Sequence, residues 1–296
     1  SLALGDKSSA ANTLDKLANL IHATFGEYTE SKRLAEQSLV FSRGLGQPDW
    51  VAYALDTLGY ITFCLGEYIE AEAYYRESLA LFETTGDQYG RAMALGGIGL
   101  VLWGMWGGKN VEATAYFQRS LLICRTIGHQ GQVCGRLAGL ARIANDLGEY
   151  GEAQRYAEEG LAIARELGSP VYLSHILYCL GETAYGRGDL PRARAYLSEA
   201  LQVTSEAGLL AYLAIALFHY ATLLVKESET DRAATDEPTA QRVQALRLLT
   251  LVQSHSTTWH VYRERAARLA RELAEALPAD SLATVERADQ TLEEAV

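Results

Sequence analysis

The sequence is short of proline, cysteine and positive charge, and each shortage closes off a class of protein. Five prolines in 296 residues leave room for long helices, because proline removes a helix hydrogen bond and clashes with the preceding turn. The four cysteines, Cys64, Cys124, Cys134 and Cys179, form no CxxC pair, and each sits in a helical apolar pattern. They read as reduced, packed small hydrophobes, which points to a cytoplasmic setting. Lys and Arg number 26 against 37 Asp and Glu, a net charge of −11. Phosphate recognition rests on clustered Lys and Arg, so nucleic acid is not expected as a partner. No uninterrupted apolar run reaches the ~18–20 residues that span a bilayer, so no membrane partner is expected either. Ser1–Leu4 carries neither an initiator Met nor the charged-then-apolar pattern of a signal peptide, and is read as a cut from a larger protein.

Catalytic machinery is also missing from the pattern. The histidines are His22, His129, His175, His219, His255 and His260, with no HExxH and no ligand pair flanked by carboxylates. No nucleophile elbow, paired-acid motif or phosphate-binding G-x-x-x-x-G-K-[ST] occurs. The expectation is a protein that is not an enzyme and holds no metal or cofactor.

What the sequence does have is self-similarity. Five segments align: Phe25-Gly-Glu-Tyr28, Leu65-Gly-Glu-Tyr68, Trp106-Gly-Gly-Lys109, Leu147-Gly-Glu-Tyr150 and Arg187-Gly-Asp-Leu190. A second series, Gly5, Gly46, Gly86, Gly128, Gly168 and Gly208, recurs at intervals of 41, 40, 42, 40 and 40 residues. A period of this size is the mark of a stacked repeat. Each unit reads as two helices: a helix A such as Asp49–Leu65, ended by Gly66, and a helix B such as Tyr68–Glu83. Gly59, Gly99 and Gly181, with Ala141 and Ala221 in register, fall in the middle of helix A. A glycine there costs ~1 kcal/mol against alanine, so something must approach closely, and Ala71, Ala113, Ala153 and Ala193 of helix B are the expected neighbours. The helix-B aromatics Tyr74, Tyr75, Tyr116, Phe117, Tyr156 and Tyr196 recur in register and read as shared packing.

These residues resemble the tetratricopeptide pattern: a Leu-Gly pair in helix A, a small residue twelve positions on, then an aromatic or Leu four beyond. The resemblance covers about Ala10–Leu223 and implies an all-α fold, a right-handed superhelical tetratricopeptide-like solenoid of antiparallel helix pairs. The reading divides the chain into the end of a preceding repeat (1–5) and repeats at 6–46, 47–86, 87–128, 129–168 and 169–208. A sixth, 209–257, is interrupted by a polar loop at 226–240, and 258–296 forms a C-terminal helical cap, since an array needs a polar face on its last apolar surface. Within that cap, Trp259–Ala276 reads as a basic amphipathic helix, Ser281–Ala288 as a shorter one, and Thr291-Leu-Glu-Glu294 as a capping box. The turn between Trp103 and Val111 is longer than its counterparts.

The 40-residue unit and the tail from Ala245 to Pro278 also resemble the sensor arrays of signal-transduction ATPases with numerous domains, in bacterial regulators. That likeness implies an array that recognises an inducer (peptide, protein or small molecule) and contacts the ATPase and arm domains of its own longer chain. The alternative is a constitutive scaffold holding two proteins. In the tetratricopeptide family, ligands are held by helix-A residues three and six before the Gly/Ala site and one and four after it. Here that stripe is Tyr53, Asp56, Tyr60 and Phe63; then Met93, Gly96, Leu100 and Trp103; then Gly135, Ala138, Arg142 and Asn145. It continues as His175, Tyr178, Glu182 and Tyr185, with Phe218 beyond. A ligand is expected on this stripe, inside the superhelix from the second to the fifth helix A. The opposing reading makes the same residues packing between neighbouring pairs.

Overall fold

The structure, a computed structural model, describes residues 2–105, 109–230, 237–285 and 291–295. Among them are fourteen α-helices and one short 3-10 turn, with no strand. The helices are α1 (Leu2–Phe25), α2 (Tyr28–Leu45), α3 (Pro48–Leu65), α4 (Tyr68–Thr85), α5 (Gln88–Gly104), α6 (Asn110–Thr126) and α7 (Gln130–Asp146), followed by α8 (Tyr150–Leu167), α9 (Pro170–Gly186), α10 (Leu190–Glu206), α11 (Leu210–Thr230), α12 (Glu237–Ser254), α13 (His260–Ala276) and α14 (Ala279–Val285). The chain forms two compact units, residues 1–143 and 144–296.

The first unit packs its helices in sequence order, α1 on α2, α3 on α4 and α5 on α6, with each helix B also against the next helix A. Turn chemistry sets the ends. Gly66 takes φ 89° and its N–H closes on Phe63 and Thr62 carbonyls, a left-handed stop that a Cβ would strain. Asp87 then caps α5, its Oδ1 accepting from the Gly90 N–H at 3.0 Å. Each pair is stitched by a buried serine: Ser38, Ser78 and Ser120 donate to the Ala11, Ala52 and Ala92 carbonyls at 2.9, 2.8 and 2.6 Å.

The glycines of helix A meet rings more than small residues. A Cβ at Gly59 would lie 2.9 Å from the Tyr75 ring, and one at Gly97 only 2.1 Å from it. Phe117 is held the same way by Gly99 and Gly139. Each helix-B ring therefore fills a socket made by its own helix A and the following one. Ala71 and Ala113 are buried, and the Ala113 carbonyl would lie 3.3 Å from a Cβ at Gly99, but bulk at the fourth position beyond them sets the need for glycine. Among the helix-B tyrosines expected to be core, Tyr74 and Tyr116 are only half-buried.

The second unit packs α8 on α9, α9 on α10, α10 on α11, α11 on α12 and α12 on α13. Gly181 meets Leu197, 2.6 Å from a would-be Cβ, and Tyr156 and Tyr196 are half-buried. Helix α11, contrary to the expectation of no such segment, has the length and mean hydropathy of a membrane span; it is a packed helix, with Leu213 through Leu217 fully buried.

Other expectations are corrected. Gly5 does not close a preceding unit but lies inside α1. The polar loop is shorter than 226–240, because Lys226–Thr230 continues α11 and α12 starts at Glu237; residues 231–236 lie outside the described set. The charges there belong to helix contacts: Arg194 pairs with Glu227, and Arg242 Nε donates to Ser228 Oγ at 3.0 Å. The long turn after Trp103 begins at Met105, and its residues 106–108 lie outside the described set. So do 286–290, the end of the expected 281–288 helix. Thr291 and Glu294 exchange backbone-to-side-chain bonds at 2.9 and 3.3 Å, a capping box on the 3-10 turn Glu293–Ala295.

Candidate functional site

The helix-A stripe divides sharply once burial is known. In the first unit, Phe63 (1% exposed), Trp103 (5%), Ala138 and Arg142 (5%) are core. Phe63 leans on Gly104, and the Arg142 guanidinium lies 4.5 Å from the Trp103 ring centre in a cation–π contact. These residues follow the packing reading. Tyr53, Asp56, Tyr60, Met93, Leu100 and Gly135 remain half-buried, while Gly96 is buried because the Arg136 guanidinium covers it.

Around these half-buried residues the first unit gathers charge. Burial lifts the Asp56 carboxyl to about 7, against the pull of Arg136 and with the repulsion of Asp15. Its Oδ1 is buried without a hydrogen-bond partner. Asp15 on α1 is also raised by burial, although a hydrogen bond to Thr57 opposes this. Arg136 Nη2 donates to Gln132 Oε1 at 2.7 Å and lies 3.5 Å from Met93 Sδ. Tyr53 OH donates to Asp87 Oδ2 at 2.6 Å, and burial, then this bond, hold its phenol far above the usual range. Tyr60 sits 5.0 Å from the His22 ring, whose burial holds it near 4 and therefore neutral. Arg136, Asp15 and Asp87 were not among the sequence-derived candidates. Arg136 is one position off the stripe, and Asp15 and Asp87 lie outside the helix-A stripe on which a ligand was expected.

The second unit places the same stripe against its own C-terminal segment. His175 lies 6.4 Å from the Trp259 ring and 4.9 Å from Tyr212. Tyr178, with no exposed surface, stacks on His219 at 5.2 Å and 6°. Phe218 (8% exposed) packs on Tyr262 at 5.5 Å. Arg265 of α13 donates to Asp146 Oδ2 at 3.1 Å; burial works against its charge, but Asp146, Tyr262 and Glu182 raise its pKa. Burial, with Glu182 beside it, pushes the half-buried Tyr185 phenol well up. Asn145 is buried, giving Nδ2 to the Cys179 carbonyl at 3.0 Å and accepting from Thr183 Oγ1 at 2.8 Å. Here the expected ligand stripe is already occupied, by residues 259–265 of the same chain.

Among the described residues no group of three or more His, Cys, Asp or Glu could hold a metal ion. All four cysteines are buried as thiols.

The profile described as Tetratricopeptide repeat matches residues 51–85 and 133–167, segments that start two periods apart. No curated protein matches the chain. Among solved structures, it is similar to aspartyl phosphate phosphatase F from Bacillus subtilis, with a TM-score of 0.62 and 12% identity over 99% of this chain and 73% of that one. A Rap protein complexed with competence and sporulation factor gives 0.60 and 16%, covering 95% and 89%. A Signal Transduction ATPase with Numerous Domains from Pyrococcus horikoshii, with a tetratricopeptide repeat sensor, gives 0.57 and 15% over 92% of this chain but 44% of that longer one. At such identities the likeness is one of fold. The two matched segments carry the tetratricopeptide pattern, and the likeness to the solved structures is one of all-helical fold.

Proposed function

We propose that this chain is the partner-sensing array of a larger regulatory ATPase, binding an inducer on the helix-A stripe of its first unit and relaying occupancy to a nucleotide-binding domain elsewhere in the parent protein. The observation that carries this reading is the contrast in the stripe. Tyr53, Asp56, Tyr60 and Met93 keep exposed surface and stand beside Asp15 and Arg136, whereas the second unit's stripe is engaged by Trp259, Tyr262 and Arg265. Half-exposed aromatics among mixed charges are the residues from which protein and peptide sites are built. The similar solved structures support the reading in kind, since one is a Signal Transduction ATPase with Numerous Domains with a tetratricopeptide repeat sensor and another is a Rap protein complexed with competence and sporulation factor. The division into units at 46/47, 86/87, 128/129, 168/169 and 208/209 is part of the same proposal, as is a cytoplasmic, non-catalytic role.

The test is the complete reading frame. A G-x-x-x-x-G-K-[ST] motif encoded upstream, with ATP hydrolysis altered at least several-fold by Tyr60→Ala in the intact protein, supports the sensor. A frame made only of repeats overturns it in favour of a constitutive scaffold.

A further inference from the structure

A cavity of about 440 Å³ opens in the first unit, between α1, α2, α3 and the start of α5. Its walls include the carboxylates of Asp15, Asp49 and Asp87, the rings of Trp50 and Tyr53, and Ser42. We propose that this cavity is a binding site for an organic cation of the guanidinium type. The proposal rests on the sensor reading and names the chemistry that part of the inducer carries.

Three features converge. Negative groups outnumber positive ones: three carboxylates face a single ammonium, Lys16. Asp15 Oδ1 is buried without a hydrogen-bond partner, and so is Oγ of Ser42, a residue only 1% exposed on the cavity wall. A buried hydroxyl and carboxylate oxygen left unsatisfied carry a desolvation cost that an entering donor removes. A guanidinium brings five N–H donors and no acceptor, matches carboxylates two bonds at a time, and stacks on aromatic rings.

The walls are also held in place. Asp87 is fixed from both sides, by the Gly90 N–H on Oδ1 and the Tyr53 hydroxyl on Oδ2, so the carboxylate and ring need no rearrangement to receive a ligand. The second unit shows the same pairing satisfied internally. Arg265 bonds Asp146 with its guanidinium 6.0 Å from the Tyr262 ring and Glu182 nearby. In the first unit the carboxylates and rings are present, and among the described residues no arginine lines the cavity. The net charge of −11 adds a long-range field that draws cations in and repels anions.

The cation has two sources, an arginine side chain of a peptide or a free guanidino-amine, and calorimetric titration of the 296-residue chain separates them. The probes are N-acetyl-arginine methylamide, agmatine, and N-acetyl-citrulline methylamide as the neutral isostere. Saturable binding of either cation, at least ~10-fold tighter than citrulline and weakened ~10-fold by Asp15→Asn and by Asp49→Asn, is the expected result. Preference for the capped arginine assigns a peptide, and preference for agmatine a free amine. Asp49 is exposed, so its variant keeps the test valid if Asp15→Asn perturbs folding. Equal binding of citrulline, binding indifferent to Asp49→Asn, or no cation binding by the wild-type chain overturns the cation site, and each leaves the sensor reading to be decided by the reading frame.

Discussion

The two units solve the same packing problem with different materials. In the first, aromatic rings on helix B drop into glycine sockets, Tyr75 between Gly59 and Gly97 and Phe117 between Gly99 and Gly139, and the helix-A stripe keeps half-exposed tyrosines and acids. In the second, helix B carries the smaller Ala157 and Leu197 at the matching positions, and the bulk has moved to the stripe. There Tyr178, His219, Phe218, Tyr262 and Trp259 form one aromatic network. Buried serine-to-carbonyl bonds occur at Ser38, Ser78 and Ser120, whereas the second unit has Gly160 and Ala200 at that register. Equal periodicity thus hides unequal surroundings: one stripe keeps half-exposed tyrosines and acids, and the other is packed by the chain itself.

That contrast breaks most visibly at Tyr178. Tyr178→Ala removes a ring with no exposed surface and should cost ~3–5 kcal/mol in denaturant unfolding. A loss below ~1 kcal/mol would show that the second unit's stripe is not core. Next, Gly97→Ala drives a Cβ to within 2.1 Å of Tyr75 and should cost ~1–3 kcal/mol. In a double-mutant cycle, Tyr75→Leu should recover part of that loss; strict additivity would mean that ring and glycine are not one socket.

A third measurement follows Asp56. Its native carboxyl titrates near 7 against ~3.9 in an unfolded chain, so the folded state binds the extra proton between those values. Wild-type stability should therefore fall as pH rises from about 4 to about 7, with the penalty complete above 7. Asp56→Asn should flatten that decline, read as melting temperature against pH; an unchanged slope would place the proton elsewhere. The smallest effect belongs to Tyr60→Ala. At a half-buried position it should cost no more than ~1 kcal/mol while weakening inducer binding, and a large melting loss would return the first unit's stripe to packing.

The helix pairs were legible because glycine is required where Gly66 and Gly86 adopt φ 89° and 80°, and such requirements recur with the fold. The fate of the stripe was not legible. Asp56 and Tyr178 hold the same position along helix A, three residues before Gly59 and Gly181, yet the second is stacked on His219, which itself packs on Tyr262 in a segment with no repeat signature. The run Lys226–Thr230 looked like a loop because it is charged. One of its charges, Glu227, pairs with Arg194 far along the sequence, and one-dimensional pattern does not record such a partner. The cation cavity escaped for a similar reason: Asp15, Asp49 and Asp87 belong to three different helix starts or faces and share no motif.

The two-glycine socket also decides what can be moved. Because Tyr75 is gripped by α3 and by α5 together, a cut at the 40-residue boundary parts a ring from half of its seat. The transplantable module in the first unit is then longer than the repeat that the eye finds, running from one helix A through the next. A duplication or graft that respects Gly86 but leaves the recipient with alanine at the position of Gly97 should misfit at its seam, however well each half folds. Length variation in such an array is confined to steps in which knob and following glycine travel as a pair.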